Sequence, residues 1–187
     1  LRFWKLARYL DTPDVRTVGC RQLRNERNYS MFDLIIRGGT LIDGTGSPRR
    51  AADVAVNGDR IAAVGDLGEA SAKTTIDATG LIVAPGFIDV HNHSDGWLIR
   101  ERNFAPKTTQ GFTTEVLQAD GIGYGPVNEQ TAREWLFYLR SLDGLRIQDW
   151  TGWETFAEFM EALDGSSAQN AASHLPYANI RSMACGF

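Results

Sequence analysis

The chain has 187 residues, 43% of them hydrophobic and 22% charged, with a formal net charge of −4, a mixture that fits a globular protein with a buried core. The acid excess leaves no chain-wide basic field for nucleic acid, and no run approaches the ~18 apolar residues of a membrane-spanning helix. Cys20 and Cys185 stand near opposite ends without metal or redox spacing, which points to a reducing, cytoplasmic compartment.

Residues 1–30 read differently from the rest. Arg2, Lys5, Arg8, Arg16, Arg21, Arg24 and Arg27 outnumber Asp11, Asp14 and Glu26, yet there is no apolar centre for a secretory signal and too much acid for a transit peptide. The chain has no initiator methionine, whereas Met31 directly precedes FDLIIRGG. The expectation is a start at Met31, with 1–30 a disordered or non-native leader; a genuine ordered extension is the alternative.

From Met31 to Ala84 the pattern is one of short strands: 32–37, a break at Gly38-Gly39, 40–43, 53–56, 60–64, 74–77 and 81–83. Asn57-Gly58 between two of them is a hairpin signal, because Asn and Gly tolerate the positive φ that matches strand twist. These strands predict a small β-sandwich lobe over 31–84.

The stretch LIVAPGFIDVHNHSD, residues 81–95, organises the rest of the chain. Pro85-Gly86 marks a bend, and a strand after it ends in His91-Asn92-His93. In a strand, residues i and i+2 share a face about 7 Å apart, so both imidazoles can lean toward one cation. The same parity puts Phe87, Asp89 and Asp95 on that face and Ile88 and Val90 on the other, a pattern suited to an interior strand. Residues 96–110 read as a helix made irregular by Pro106. Residues 112–120 are β-branched enough for a second strand, with Thr114, Val116, Gln118 and Asp120 on one face, Asp120 at its end and Glu115 on the other side without an account. Gly121, Gly123 and Gly125 lack the Lys-Ser/Thr of a phosphate loop and read as a flexible site loop.

Residues 128–142 place Ala132, Trp135, Leu136 and Leu139 on one helical face. Thr151-Gly152-Trp153-Glu154 spells a capping box ahead of Phe156, Phe159, Met160 and Leu163 at helical spacing. A third strand is expected around 178–184, with His174 in the loop before it.

The PGFIDVHNH run resembles the first metal motif of the amidohydrolase superfamily. GFTTEVLQADG is similar to a GVTTVV-x-GNCG segment of its N-acyl-D-amino-acid deacylase branch, with Asp120 at the position of that branch's metal-binding cysteine. Trp153, Phe156, Glu158 and Phe159 match a further W-x-x-F-x-E-F segment. The resemblance implies an α/β fold, a β-sandwich lobe beside a (β/α)8 barrel whose strand ends carry the site. It implies zinc, as one or two divalent ions, held by His91, His93 and Asp120, with Asp89 and Asp95 orienting the imidazoles. In a segment where relatives read GHG-x-LR and this chain reads PYANIR, only the Ile-Arg ending matches, and Arg181 is a candidate for positioning a substrate carboxylate, with a structural salt bridge as the alternative. A full barrel takes about 250 residues, but fewer than a hundred follow His91. The chain is therefore expected to be an N-terminal fragment, residues 85–187 forming part of the barrel, with the acid/base aspartate beyond residue 187 and no catalytic residue before it. The implied activity is metal-dependent hydrolysis of a non-peptide C–N amide bond in a small molecule, an N-acyl-D-amino acid or related amide, with neither nucleic acid nor membrane as partner. A cyclic amidase of dihydroorotase or hydantoinase type, a deaminase on the same barrel, or an inactive fragment are the alternatives.

Overall fold

The computed structural model describes residues 31–187 except 102 and 166; the expected leader, residues 1–30, lies outside the described residues. The chain divides into two compact units, one ending at Pro85 and the other starting at Gly86.

In the first unit, β1 (Phe32–Leu41), β2 (Arg50–Asn57), β3 (Arg60–Gly65), β4 (Ala72–Asp77) and β5 (Ile82–Val83) form a single sheet. Its order is β3-β2-β1-β4, with β5 following β4 along the same edge of β1. The expected sandwich is thus seen as one five-stranded sheet. The anticipated break at Gly38-Gly39 is a bulge inside one continuous strand: the β1–β2 register shifts between Ile36 and Gly39, and Gly38 takes φ +70°, the left-handed conformation that a glycine bulge supplies. Asp53 secures it by accepting from the Gly38 N–H and from Arg37. The hairpin signal is met, Asn57 pairing with Arg60 across Gly58-Asp59. Ile35 and Ala55 are fully buried on one face of the sheet, and Leu67 and Ala70 from the β3–β4 connection cover them.

The second unit holds three parallel strands, β6 (Phe87–Asp89), β7 (Phe112–Leu117) and β8 (Asn170–Ser173), in that order. Helices α1 (Asp95–Arg100) and α2 (Ala105–Thr108) lie between β6 and β7, α3 (Glu129–Leu139) and α4 (Phe156–Leu163) between β7 and β8, and α5 (Tyr177–Cys185) comes last. Parallel neighbours need such crossovers, and the architecture is α/β. At the entry to β6, Gly86 is required for space, because a Cβ there would lie 2.2 Å from the Thr113 side chain. The long helix of 96–110 divides in two, Pro106 entering the first turn of α2, where its missing N–H costs nothing.

The face predicted for α3 is the buried one: Ala132, Trp135, Leu136 and Leu139 join Leu98, Leu117, Tyr124, Leu145, Trp153, Phe159 and Leu163 in one core. Trp153 closes its polar end by donating from Nε1 to the Tyr124 carbonyl at 2.8 Å. The capping box of α4 lies four residues beyond its expected place: the Thr155 hydroxyl accepts from the Glu158 N–H, and the Glu158 carboxylate accepts from the Thr155 N–H.

One strand expectation is corrected. The third strand is Asn170–Ser173, while 178–184 is helical within α5, where Asn179 and Ser182 are buried one helical turn apart. Their side chains bond to backbone and to Trp135, so polar residues occupy the inner face and hydropathy conceals its helical period. Among the described residues β6 stands at the sheet's edge, with Ile88 and Val90 more than half exposed.

Candidate metal centre

Strand β6 ends at Asp89, and His91 and His93 come after it in the bend leading to α1. Strand parity therefore does not govern them, yet both rings arrive on one site with centroids 6.1 Å apart. Asn92 pins the bend, donating to the carbonyls of Asp89 and Val116 and accepting from the Ser94 N–H. Asp120 meets both rings, Oδ1 lying 3.4 Å from His91 Nε2 and Oδ2 lying 3.3 Å from His93 Nε2. One ligand atom from each of His91, His93 and Asp120 lies within 4.8 Å of the others. The sequence expectation thus names the three side chains that converge. His91 and Asp120 are largely exposed and His93 less so, so the group opens to solvent.

Asp120 reaches the site by a different route from that expected. β7 stops at Leu117, and Gln118 and Asp120 both take left-handed backbone, at φ 58° and 59°. Such conformations are costly for residues other than glycine, and surrounding bonds must hold them. Asp95 accepts from the Gln118 N–H at 2.7 Å. The Gln118 side chain donates to Ser173 Oγ and accepts from the Gly125 N–H, tying the end of β7 to β8 and to the glycine loop. That loop is shaped by close approach: a Cβ on Gly123 would stand 2.1 Å from Gln118 Oε1.

Behind His93 lies a carboxylate that the sequence pattern did not single out. Asp143, in the turn after α3, places Oδ1 3.0 Å from His93 Nδ1 and is 1% exposed. Asp95 is fully buried beside it, and ligand atoms of His93, Asp95 and Asp143 also group within 4.8 Å. Burial pushes the carboxyl of Asp95 up to about 7, helped by the charge of Asp143. Burial, and then the charge of Asp120, do the same for Asp143.

Asp89, expected to orient an imidazole, instead pairs with Lys107 and accepts from the His91 backbone N–H. Lys107 also stands 4.0 Å from Glu115, which is fully buried, accepts from Gln169 Nε2 at 2.7 Å and is pushed up by that burial. The residue without an account on the far side of β7 is therefore part of an ionic layer between strand and helix. Arg181 lies exposed on α5 rather than in a strand. His174 directly follows β8, where its N–H donates to the Leu117 carbonyl.

No family model matches the chain. It is 44% identical over 151 residues to the D-aminoacylase of Alcaligenes xylosoxydans xylosoxydans, an alignment covering 80% of this chain and 30% of that protein. A crystal structure of D-aminoacylase, described as defining a novel subset of amidohydrolases, superposes with a TM-score of 0.69 at 42% identity, over 81% of this chain and 31% of that one. The N-acyl-D-glutamate deacylase of Bordetella bronchiseptica, solved with zinc and a phosphonate mimic of the tetrahedral intermediate, gives 0.70 at 37% identity over the same shares. The chain thus spans about 30% of the length of the relatives it matches. Over that span sequence and fold agree, and the chain's homologues are D-aminoacylases and N-acyl-D-amino-acid deacylases of the amidohydrolase family.

Proposed function

We propose that this protein is a metal-dependent amidohydrolase that removes the acyl group from N-acyl-D-amino acids. One observation carries the reading: two imidazoles and a carboxylate, from the ends of adjacent parallel strands, converge within 4.8 Å. The donor set fits zinc. Ligand atoms about 2.0–2.2 Å from a tetrahedral ion lie roughly 3.3–3.6 Å apart; His91 Nε2 lies 3.4 Å from Asp120 Oδ1 and His93 Nε2 3.3 Å from Oδ2, so each imidazole has a carboxylate oxygen at about that spacing. His91 and His93 would hold the ion through Nε2, with Asp120 as third or bridging ligand. Because Asp120 is a harder donor than the thiolate of similar sequences, manganese or iron also suits the site.

A zinc ion held by these residues would supply Lewis acidity for the acyl carbonyl and a more acidic water. The chain's own residues set the geometry: Asn92 and the Gln118 turn hold the two strand ends in register, and the exposed side of His91 and Asp120 admits the substrate. We further infer that β6, β7 and β8 are opening strands of a (β/α)8 barrel, that 85–187 belongs to it, and that 31–84 is the accompanying lobe. D-configured substrates are supported by the names of the relatives, which include N-acyl-D-aspartate and N-acyl-D-glutamate deacylases.

The test is metal content beside hydrolysis of N-acetyl-D- and N-acetyl-L-amino acids, for wild type, the double variant His91→Ala/His93→Ala, and Asp120→Ala. Loss of both metal and D-selective turnover in the two variants is expected. A double variant that retains its metal overturns the assignment.

A further inference from the structure

Asp143 has no role in the ligand group, yet its setting is built. It follows α3 in a turn whose main chain is tied at two points: the Asp143 N–H donates to the Leu139 carbonyl at 2.8 Å, and its carbonyl accepts from the Gly96 N–H at 3.0 Å. The turn seats on α1 so closely that a Cβ on Gly96 would stand 2.4 Å from the Leu145 nitrogen, and one on Gly144 2.4 Å from the Trp97 ring. Arg100 braces the turn by donating to the Gly144 carbonyl. The carboxylate is thereby presented to His93 on a fixed backbone, 1% exposed and 3.0 Å from Nδ1.

With Asp143 ionised its oxygens only accept, and the 3.0 Å contact is then a hydrogen bond donated by His93 Nδ1–H. Neutral imidazole carries one N–H, which leaves Nε2 as a bare lone pair. That lone pair faces Asp120 Oδ2 at 3.3 Å, two acceptors without a hydrogen between them, an arrangement that a cation relieves. Of the acidic residues on this side of the unit, Asp95 is engaged with the Gln118 N–H and Asp89 with Lys107; Asp143 is the one within hydrogen-bond distance of His93 Nδ1.

We propose that Asp143 is the positioning residue of the metal centre: it accepts a hydrogen bond from the Nδ1–H of His93, holds the ring in that tautomer and aims Nε2 at the ion site. The inference rests on the metal reading for its purpose, but not for its geometry.

The test uses the protein labelled with nitrogen-15 in histidine, metal-free, at about pH 8, where an ordinary imidazole is neutral. His93 signals are assigned by comparison with His93→Gln. Wild type is expected to show the Nδ1–H tautomer, Asp143→Ala to shift toward Nε2–H, and Asp143→Asn, which keeps an acceptor oxygen, to lie between. Zinc affinity, read by chelator competition, is expected to fall about 10- to 100-fold in Asp143→Ala and less in Asp143→Asn. A wild-type His93 that is Nε2–H or doubly protonated overturns the proposal, as does an alanine variant with unchanged tautomer and affinity. Should Asp143→Ala not fold, the wild-type tautomer and Asp143→Asn decide the matter. A wild type that shows the Nδ1–H tautomer but binds no zinc overturns the metal reading and leaves the Asp143 contact standing.

Discussion

At the scale of single residues, the site depends on side chains held where their own preferences would not put them. Gln118 and Asp120 occupy left-handed backbone, at a typical strain of about 1–3 kcal/mol each, and Gln118 is held by Asp95, Ser173 and the Gly125 N–H. Gly123 makes this possible by its missing Cβ, which would otherwise stand 2.1 Å from Gln118 Oε1. Gly123→Ala is therefore expected to displace Gln118 and destabilise the second unit by about 1–3 kcal/mol, measured by urea denaturation. It should also weaken zinc binding, since Asp120 lies two residues beyond Gln118; an unchanged midpoint would mean that the loop yields without cost. His91, His93 and Asp120 were legible as a group because PGFIDVHNH and GFTTEVLQADG resemble the metal motifs of a known family, although all three lie beyond the ends of the strands expected to carry them. Asp143 was not: it lies 50 residues from His93, and nothing in SLDGL distinguishes it from the end of an ordinary helix.

At the scale of elements, periodicity served where apolar residues carry the buried face and failed where polar ones do. Trp135, Leu136, Leu139, Phe159 and Leu163 were readable because their spacing keeps them on one helical stripe facing the core. α5 was misread as a strand because its inner face carries Asn179 and Ser182, whose burial depends on bonds to Gly123, Pro126 and Trp135. β8 was missed because Asn-Ala-Ala-Ser has no β-branched or aromatic residue, so its strand state comes from pairing with β7. The capping box showed a different ambiguity: Thr151 and Glu154 have the required spacing, but Thr155 and Glu158 have it as well, and Thr155 stands directly before Phe156. Thr155→Ala is expected to cost about 1 kcal/mol, while Thr151→Ala should cost only a few tenths, as is usual for a surface change. Chemical denaturation of the two variants side by side checks the assignment.

At the scale of the whole molecule, the ligand group falls entirely within the unit that begins at Gly86, as do the four described tryptophans, Trp97, Trp135, Trp150 and Trp153. A ligand that binds only the native state raises stability by RT ln(1 + [L]/Kd), about 2.7 kcal/mol at a hundredfold excess over Kd. Zinc is accordingly expected to raise the melting temperature reported by tryptophan fluorescence, and His91→Ala/His93→Ala to abolish that rise. A shift that survives in the double variant would place the ion elsewhere.

By itself the sequence determined the order and class of most elements, the hairpin at Asn57, the core faces of α3 and α4, and the three side chains of the ligand group. The first three depend on residues near one another in the chain, whose spacing sets which face they share, whereas the ligand group was read from motif resemblance, since His91 and His93 lie past β6 and Asp120 past β7. Tertiary structure decided the bulge in β1, the true third strand, the left-handed path to Asp120 and the carboxylates behind His93. Those features arise from hydrogen bonds and close contacts between distant segments, such as Asp53 with Gly38, Asp95 with Gln118 and Asp143 with His93, and no local pattern encodes a partner that only the fold brings near.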